Sequence, residues 1–216
     1  MRIKKNPEIN NPPSQATPIF DDEVALLASQ IRAEPAASAL QKRLKANRLI
    51  SLLICHNAGT RTGDLQHIVL TPPPFYSKQD GRKTLNFYAD GSKTSQRGVI
   101  FSVPENPNEG LCAISHWETY KHYLPKGRPF STMDKDQLET NTETSNLVHS
   151  WRSYAKKAGI QDVKRIRGHS WRRAYTQKAL KANEPHEKIR QQQGWKPNSR
   201  MLQHYGKSDV KGVDQM

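Results

Sequence analysis

Apolar residues first recur at helical spacing from Val24 through Leu27 and Ala28 to Ile31. They follow the acidic run Asp21-Asp22-Glu23, which suits the positive end of a helix dipole. Pro35 interrupts. A longer helical stretch from about 37 to 56 carries Leu40, Leu44, Leu49, Leu52, Leu53 and Ile54. It is basic early and apolar late, so its second half is expected to be buried; Asn57-Ala58-Gly59 stops it. After a short turn of helix at 60–65 the period changes from 3.6 to 2. Ile68-Val69-Leu70 starts a strand that Pro72-Pro73-Pro74 ends. Leu85, Phe87 and Ala89 alternate with Thr84, Asn86 and Tyr88, and Asp90-Gly91 is a hairpin turn signal. Val99, Phe101 and Val103 alternate again before Pro104.

The second half returns to helices. Ala113, Trp117, Tyr120 and Leu124 share one face of a helix expected over 111–124. Residues 125–144 are polar and read as a loop. Ser145 is positioned to cap a helix with Leu147, Trp151, Tyr154, Ala155 and Ala158 on one stripe, stopped by Gly159. Two more helices are expected over 169–182 and 185–193, with Pro185 in the first turn of the second and Gly194 just past its end. Asn198 can cap a last short helix to Tyr205. The pattern predicts a mostly α domain with a small antiparallel β-sheet (α+β), spanning 20–216. Residues 1–19, rich in Pro, Asn, Ser and Thr, form a flexible lead without a core of its own. There is no internal repeat.

Charge narrows the class of partner. Of 216 residues, 34 are Lys or Arg and 20 are Asp or Glu, a formal charge of +14. Such an excess suits a polyanion, most simply nucleic acid, because phosphate contacts release counterions. The two cysteines, Cys55 and Cys112, match no disulfide framework or zinc spacing and read as small buried hydrophobes in a cytosolic chain. The basic start, Met1 to Lys5, lacks the apolar segment of a secretion signal, and no run is long enough to span a membrane.

The candidate chemistry lies mostly near the C-terminus. His169-Ser170-Trp171-Arg172 puts a His and an Arg three apart on one helical face; Gly194-Trp195 and Tyr205 follow. Phosphodiester cleavage needs positive charge on the non-bridging oxygens, a nucleophile, and a proton for the leaving oxygen. Arg61 and Arg172 can supply planar forks, and their charge would favour a Tyr205 phenolate. Lys93, just after the Asp90-Gly91 turn signal, can protonate a leaving 5′ oxygen. His169 can take the tyrosine proton or hold the phosphate, and Trp195 can donate its indole N–H and wall the pocket. Taken singly, each has an ordinary structural explanation; the ordered set is what points to one reaction.

That ordered set resembles the catalytic domain of the tyrosine recombinases, or phage integrases, over roughly 20–207. Asn57-Ala58-Gly59-Thr60-Arg61-Thr62-Gly63-Asp64-Leu65 is similar to the family's first arginine box, with its acidic residue three after the arginine. Gly91-Ser92-Lys93-Thr94 through Val99 is similar to its hairpin lysine. His169-Ser170-Trp171-Arg172-Arg173 is similar to its His-x-x-Arg box, and Gly194-Trp195 with Tyr205 to the end of its final box. Trp195 stands where most members carry His, though some use Trp, and the spacing to Tyr205 is one residue longer than usual.

The resemblance implies a site-specific recombinase or integrase acting on double-stranded DNA. Tyr205 would attack the scissile phosphate, leaving a 3′-phosphotyrosine and a free 5′ hydroxyl. Arg61, Lys93, His169, Arg172 and Trp195 would assist. Neither metal nor ATP is required, so no cofactor is implied. The working form would be a homo-tetramer on two DNA sites, with accessory DNA-bending proteins as further partners, in the cytoplasm at the nucleoid. The short lead takes the place of the separate DNA-clamping domain most members carry, so either a short recombinase or a fragment is expected. A type IB topoisomerase shares much of this residue set. A non-catalytic DNA-binding module of the same fold, or a basic RNA-binding protein, would also fit the charge; no glycine-rich or aromatic RNA-binding box supports the last.

Overall fold

The computed structural model describes residues 16–91, 98–130, 132–133, 139–140 and 144–206. Helix α1 (Asp21–Ala33) carries its acids in the first turn and buries Val24, Leu27, Ala28 and Ile31, as the spacing predicts. Helix α2 (Ala39–Ala58) starts in a reciprocal cap. The Ser38 hydroxyl accepts from the Gln41 backbone N–H, and the Gln41 side chain accepts from the Ser38 N–H. Its second half, from Ala46 on, is almost entirely buried, and Gly59 ends it in the left-handed conformation at φ 63°. This helix is the axis of the domain, packing against α1 and later elements.

The sheet has one strand more than the sequence pattern suggests. Strand β3 (Arg82–Ala89) is central. On one side it pairs with β1 (Ile68–Val69) and β2 (Phe75–Gln79), and on the other with β4 (Val99–Pro104), all antiparallel. The two-residue turn is Asp80-Gly81, with φ 52° and 76°, joining β2 to β3. The Asp90-Gly91 signal instead opens the longer 90–98 connection from β3 to β4. Strand β2 escapes the pattern because Phe75 and Tyr76 are adjacent and both exposed, so no alternation marks it. Leu85, Phe87 and Ala89 face the core as expected, but Thr84 and Asn86 are buried too. Asn86 donates to Ser77 Oγ at 2.9 Å and accepts from the Ser102 hydroxyl at 2.8 Å, so its burial is satisfied.

The expected 111–124 helix is shorter: α3 (Ala113–Tyr120) lies between single 3-10 turns at Glu109–Leu111 and Lys121–Tyr123. The expected loop at 125–144 contains a small antiparallel pair, β5 (Thr132–Met133) and β6 (Glu139–Thr140). Helix α4 (Thr144–Lys157) begins one residue ahead of the expected cap, Ser145, whose side chain lies outside the described residues. Then come α5 (Ser170–Lys181), α6 (His186–Gln192) and α7 (Met201–Gly206). Asn198 does not cap α7. The chain turns at 196–199, and the Ser199 hydroxyl accepts from the Met201 N–H at 3.2 Å.

One core holds the helices and the inner sheet face, centred on edge-on pairs Phe87–Trp117 and Trp151–Trp171. A satellite cluster of Ala179, Ile189 and Leu202, with Tyr175, Leu180 and Trp195 against it, fixes α6 and α7 on α5. Ile19, at the end of the expected lead, is 1% exposed and belongs to the core. The chain ahead of α1 and the first turn of α1 strap onto α5 and its neighbours. Arg173 donates to the Ala16 carbonyl, Asp21 pairs with Lys178 at 2.7 Å and with His56 at 3.1 Å, and Glu23 pairs with Arg165. Both cysteines are buried and free, and burial pushes the Cys55 thiol up. Among the described residues no helix is long and apolar enough to cross a membrane.

Candidate active site

Three turns bring the candidate residues together. The first follows Gly59, whose left-handed backbone swings the chain off α2 and presents Arg61; the succeeding 3-10 turn (Thr62–His67) buries Asp64. The second precedes α5. Thr62 bonds to the Gly168 carbonyl through its N–H, which ties the first turn to the second. His169 stands just ahead of α5, and its carbonyl accepts the Arg173 N–H, so the His-x-x-Arg spacing aligns His169 and Arg172 along the first helical turn. The third turn links α6 to α7. Gly194, at φ 62°, reverses the chain and delivers Trp195 towards α7 and Tyr205.

Arg172 is 6% exposed. Its Nε donates to the Gly59 carbonyl at 3.2 Å, and Nη2 lies 3.6 Å from Asp64 Oδ2. Burial, and next the charge of Arg61, lower its pKa to about 10. Two arginines therefore share a site in which Asp64 is the close anionic counterweight, an arrangement that an incoming anion would relieve.

Tyr205 is 7% exposed on α7. Its hydroxyl lies 2.6 Å from His169 Nδ1, with the donor set by the histidine tautomer. The Trp195 ring stacks on it at 5.5 Å and 11°, and His204 meets it edge-on at 5.1 Å. Trp195 Nε1 and Arg61 Nε are buried and without a hydrogen-bond partner among the described residues. Both residues, with Asp64 and Arg172, line an open groove of about 1110 Å³ between the sheet and α6. Lys188 on α6 pairs with Asp80 at the β2–β3 turn (2.7 Å), and the Gln192 side chain donates to the Ser102 carbonyl on β4 (3.1 Å); these two ties bridge the walls.

Five of the six candidate side chains thus gather at one place: Arg61, His169, Arg172, Trp195 and Tyr205. Lys93 lies outside the described residues. Sequence reasoning overlooked Gln193, which is 3% exposed and lines the same groove. In sequence it is one of three consecutive glutamines at a helix end, a signature of solvated surface. Among the described residues no group of three His, Cys, Asp or Glu side chains has a metal-binding arrangement.

No protein-family model matches the chain, and no curated protein matches its sequence. Solved structures do resemble it. The XerA recombinase superposes with a TM-score of 0.60 at 16% identity, over 92% of this chain and 61% of that one. A lambda integrase dimer bound to a COC′ core site gives 0.60 at 14%, over 93% and 50%. An Flpe–Holliday junction complex gives 0.56 at 13%, over 82% and 44%. The chain thus spans about half the length of the structures it resembles. At these identities the likeness establishes the architecture, and the fold of this chain is that of the catalytic domain of tyrosine recombinases.

Proposed function

We propose that the chain is a site-specific DNA recombinase that cleaves and rejoins duplex DNA through a 3′-phosphotyrosine at Tyr205. The observation that carries this reading is the clustering of five side chains drawn from three separate turns: Arg61, Arg172 and Trp195 line one groove, and Tyr205 lies against His169 and Trp195 beside it. Arg61 and Arg172 clamp the non-bridging oxygens of the scissile phosphate, and the free N–H of Trp195 adds a donor. The Tyr205 oxygen attacks phosphorus. His169, already against that oxygen, takes the phenolic proton. Lys93 protonates the leaving 5′ oxygen. In the reverse step a 5′ hydroxyl attacks the phosphotyrosine and releases Tyr205. Strand exchange then takes place in a homo-tetramer on two DNA sites, with accessory DNA-bending proteins shaping the complex, in the cytoplasm at the nucleoid. The formal charge of +14 suits the duplex substrate.

The test is a covalent-adduct assay with supercoiled plasmid carrying the DNA that flanks the protein's own gene. EDTA is present throughout and detergent stops the reaction. Wild type is expected to become attached to DNA 3′ ends, and Tyr205→Phe to bind DNA without attachment. Recombinant circles identify strand exchange, whereas relaxed circles alone identify a type IB topoisomerase activity. Wild type that binds DNA and forms no adduct would overturn the proposal in favour of a non-catalytic module.

A further inference from the structure

Three buried polar atoms of groove residues have no hydrogen-bond partner among the described residues: Arg61 Nε, Trp195 Nε1 and Gln193 Oε1. The first two are donors and suit phosphate oxygens. The third is an acceptor, which phosphate oxygens cannot satisfy, because they accept as well. Gln193 is nonetheless 3% exposed, and its orientation is fixed by chemistry. Its Nε2 lies 3.2 Å from the Ala58 carbonyl. A carbonyl can only accept, so the NH₂ must face Ala58 and Oε1 must face away from it. The amide also packs closely over a glycine. Gly59 follows Ala58, and a Cβ there would sit 2.5 Å from Gln193 Nε2. The Gly59 carbonyl in turn accepts from Arg172 Nε. A buried, unpaired acceptor therefore belongs to the same groove as the arginine expected to clamp the phosphate.

Cleavage by the proposed tyrosine creates one new donor next to that phosphate, the 5′ hydroxyl. We infer that Gln193 Oε1 accepts the hydrogen of this 5′ hydroxyl and keeps the cut end seated for rejoining; the inference rests on the tyrosine-nucleophile reading. In the rejoining step the 5′ oxygen forms its bond to phosphorus and the Tyr205 oxygen–phosphorus bond breaks. One proton leaves the 5′ oxygen and one arrives at the Tyr205 oxygen. Gln193 takes no proton. The intact diester has no hydrogen on its 5′ oxygen, so the bond to Gln193 exists only after cleavage. It stabilises the cut state relative to the intact one.

The test uses duplexes spanning the site mapped in the plasmid assay, nicked so that the short 5′ strand is lost and the covalent complex persists. Strands ending in a 5′ hydroxyl are added to that complex, with matched strands ending in a 5′ deoxy carbon as competitors. Wild type is expected to favour the hydroxyl end by about fivefold, the effect of one neutral hydrogen bond. Gln193→Leu is expected to lose that preference, to raise the half-saturating strand concentration by about the same factor, and to keep the saturated ligation rate within about twofold. Equal affinity of wild type for the two ends overturns the inference without needing any variant. A Gln193→Leu protein that keeps the preference overturns it too. A lower saturated rate at unchanged half-saturation assigns Oε1 to a group of the protein instead. Wild type that forms no covalent complex removes the tyrosine reading and this inference together, whereas lost end discrimination with normal adducts removes this inference alone.

Discussion

His169 Nδ1 and the Tyr205 hydroxyl lie 2.6 Å apart, on rings parallel to within 4°. The two residues are separated by a helix, a turn and a second helix, and they meet because α7 folds back against α5. In the proposed mechanism this position lets the imidazole receive the phenolic proton. His169→Ala is therefore expected to slow adduct formation by about 10²-fold or more, the usual range for a lost proton-transfer group, with DNA affinity changed only slightly. Single-turnover cleavage across pH 5 to 9 checks this; an unaltered rate and profile would take His169 out of proton transfer.

Asp64 opposes two arginine charges from a site in which both it and Arg172 are nearly buried. Asp64→Asn keeps the shape and removes the charge. The loss of folding stability should be about 3 kcal/mol, as for breaking one side of a buried ion pair. Urea denaturation measures it, and added inorganic phosphate should recover part of the loss by occupying the arginine pair. A loss below about 0.5 kcal/mol, the level of a surface pair, would mean that solvent screens the cluster.

Gly59 combines a left-handed backbone with close packing: a Cβ there would meet Tyr175 Cβ at 2.7 Å as well as the Gln193 amide. Gly59→Ala should cost about 3 kcal/mol, from the conformational penalty and overpacking together. Because the same residue's carbonyl orients Arg172, cleavage should fall further than the folded fraction does. Circular dichroism melts and cleavage rates on the same preparation separate the two effects.

Asp21 accepts from His56 and Lys178, and these bonds, led by His56, hold its carboxyl well below the usual range. An unfolded aspartate titrates near pH ~4, so the folded state is favoured while the group is ionised above that pH. The contribution fades as pH falls below about 4 towards the depressed folded value. Asp21→Asn should lower stability at pH 7 and flatten its dependence between pH 5 and 2. Thermal melts across that range check it; identical slopes for the two proteins would show that the strap contributes nothing through this carboxylate.

The helices were legible because periodic apolar positions must face one core: Val24 to Ile31 and the late half of α2 are buried as their spacing demands. Gly59 and Gly194 were legible as stops, and both adopt positive φ. The sheet was only partly legible. Asp90-Gly91 drew attention from Asp80-Gly81, since the same dipeptide marks a tight turn only where paired strands flank it directly. The clustering of Arg61, His169, Arg172, Trp195 and Tyr205 was anticipated from their order, which no periodicity contains. Gln193 was hidden for a different reason. Its burial depends on a carbonyl 135 positions away in the chain, a partner that local polarity does not reveal.

The strap formed by Ala16 and the first turn of α1 has a mechanical consequence. Ala16, Asp21 and Glu23 grip Arg173, Lys178 and the Arg165 turn that leads into α5, so the segment is anchored along the same helix that carries Arg172. Tension or torque applied to the polypeptide upstream of Ala16 would reach the helix that carries Arg172 through these polar ties as well as through Ile19 in the core. The amino-terminal end of the described chain is thus coupled to the helix that carries Arg172, although 157 positions separate Ala16 from Arg173 in sequence.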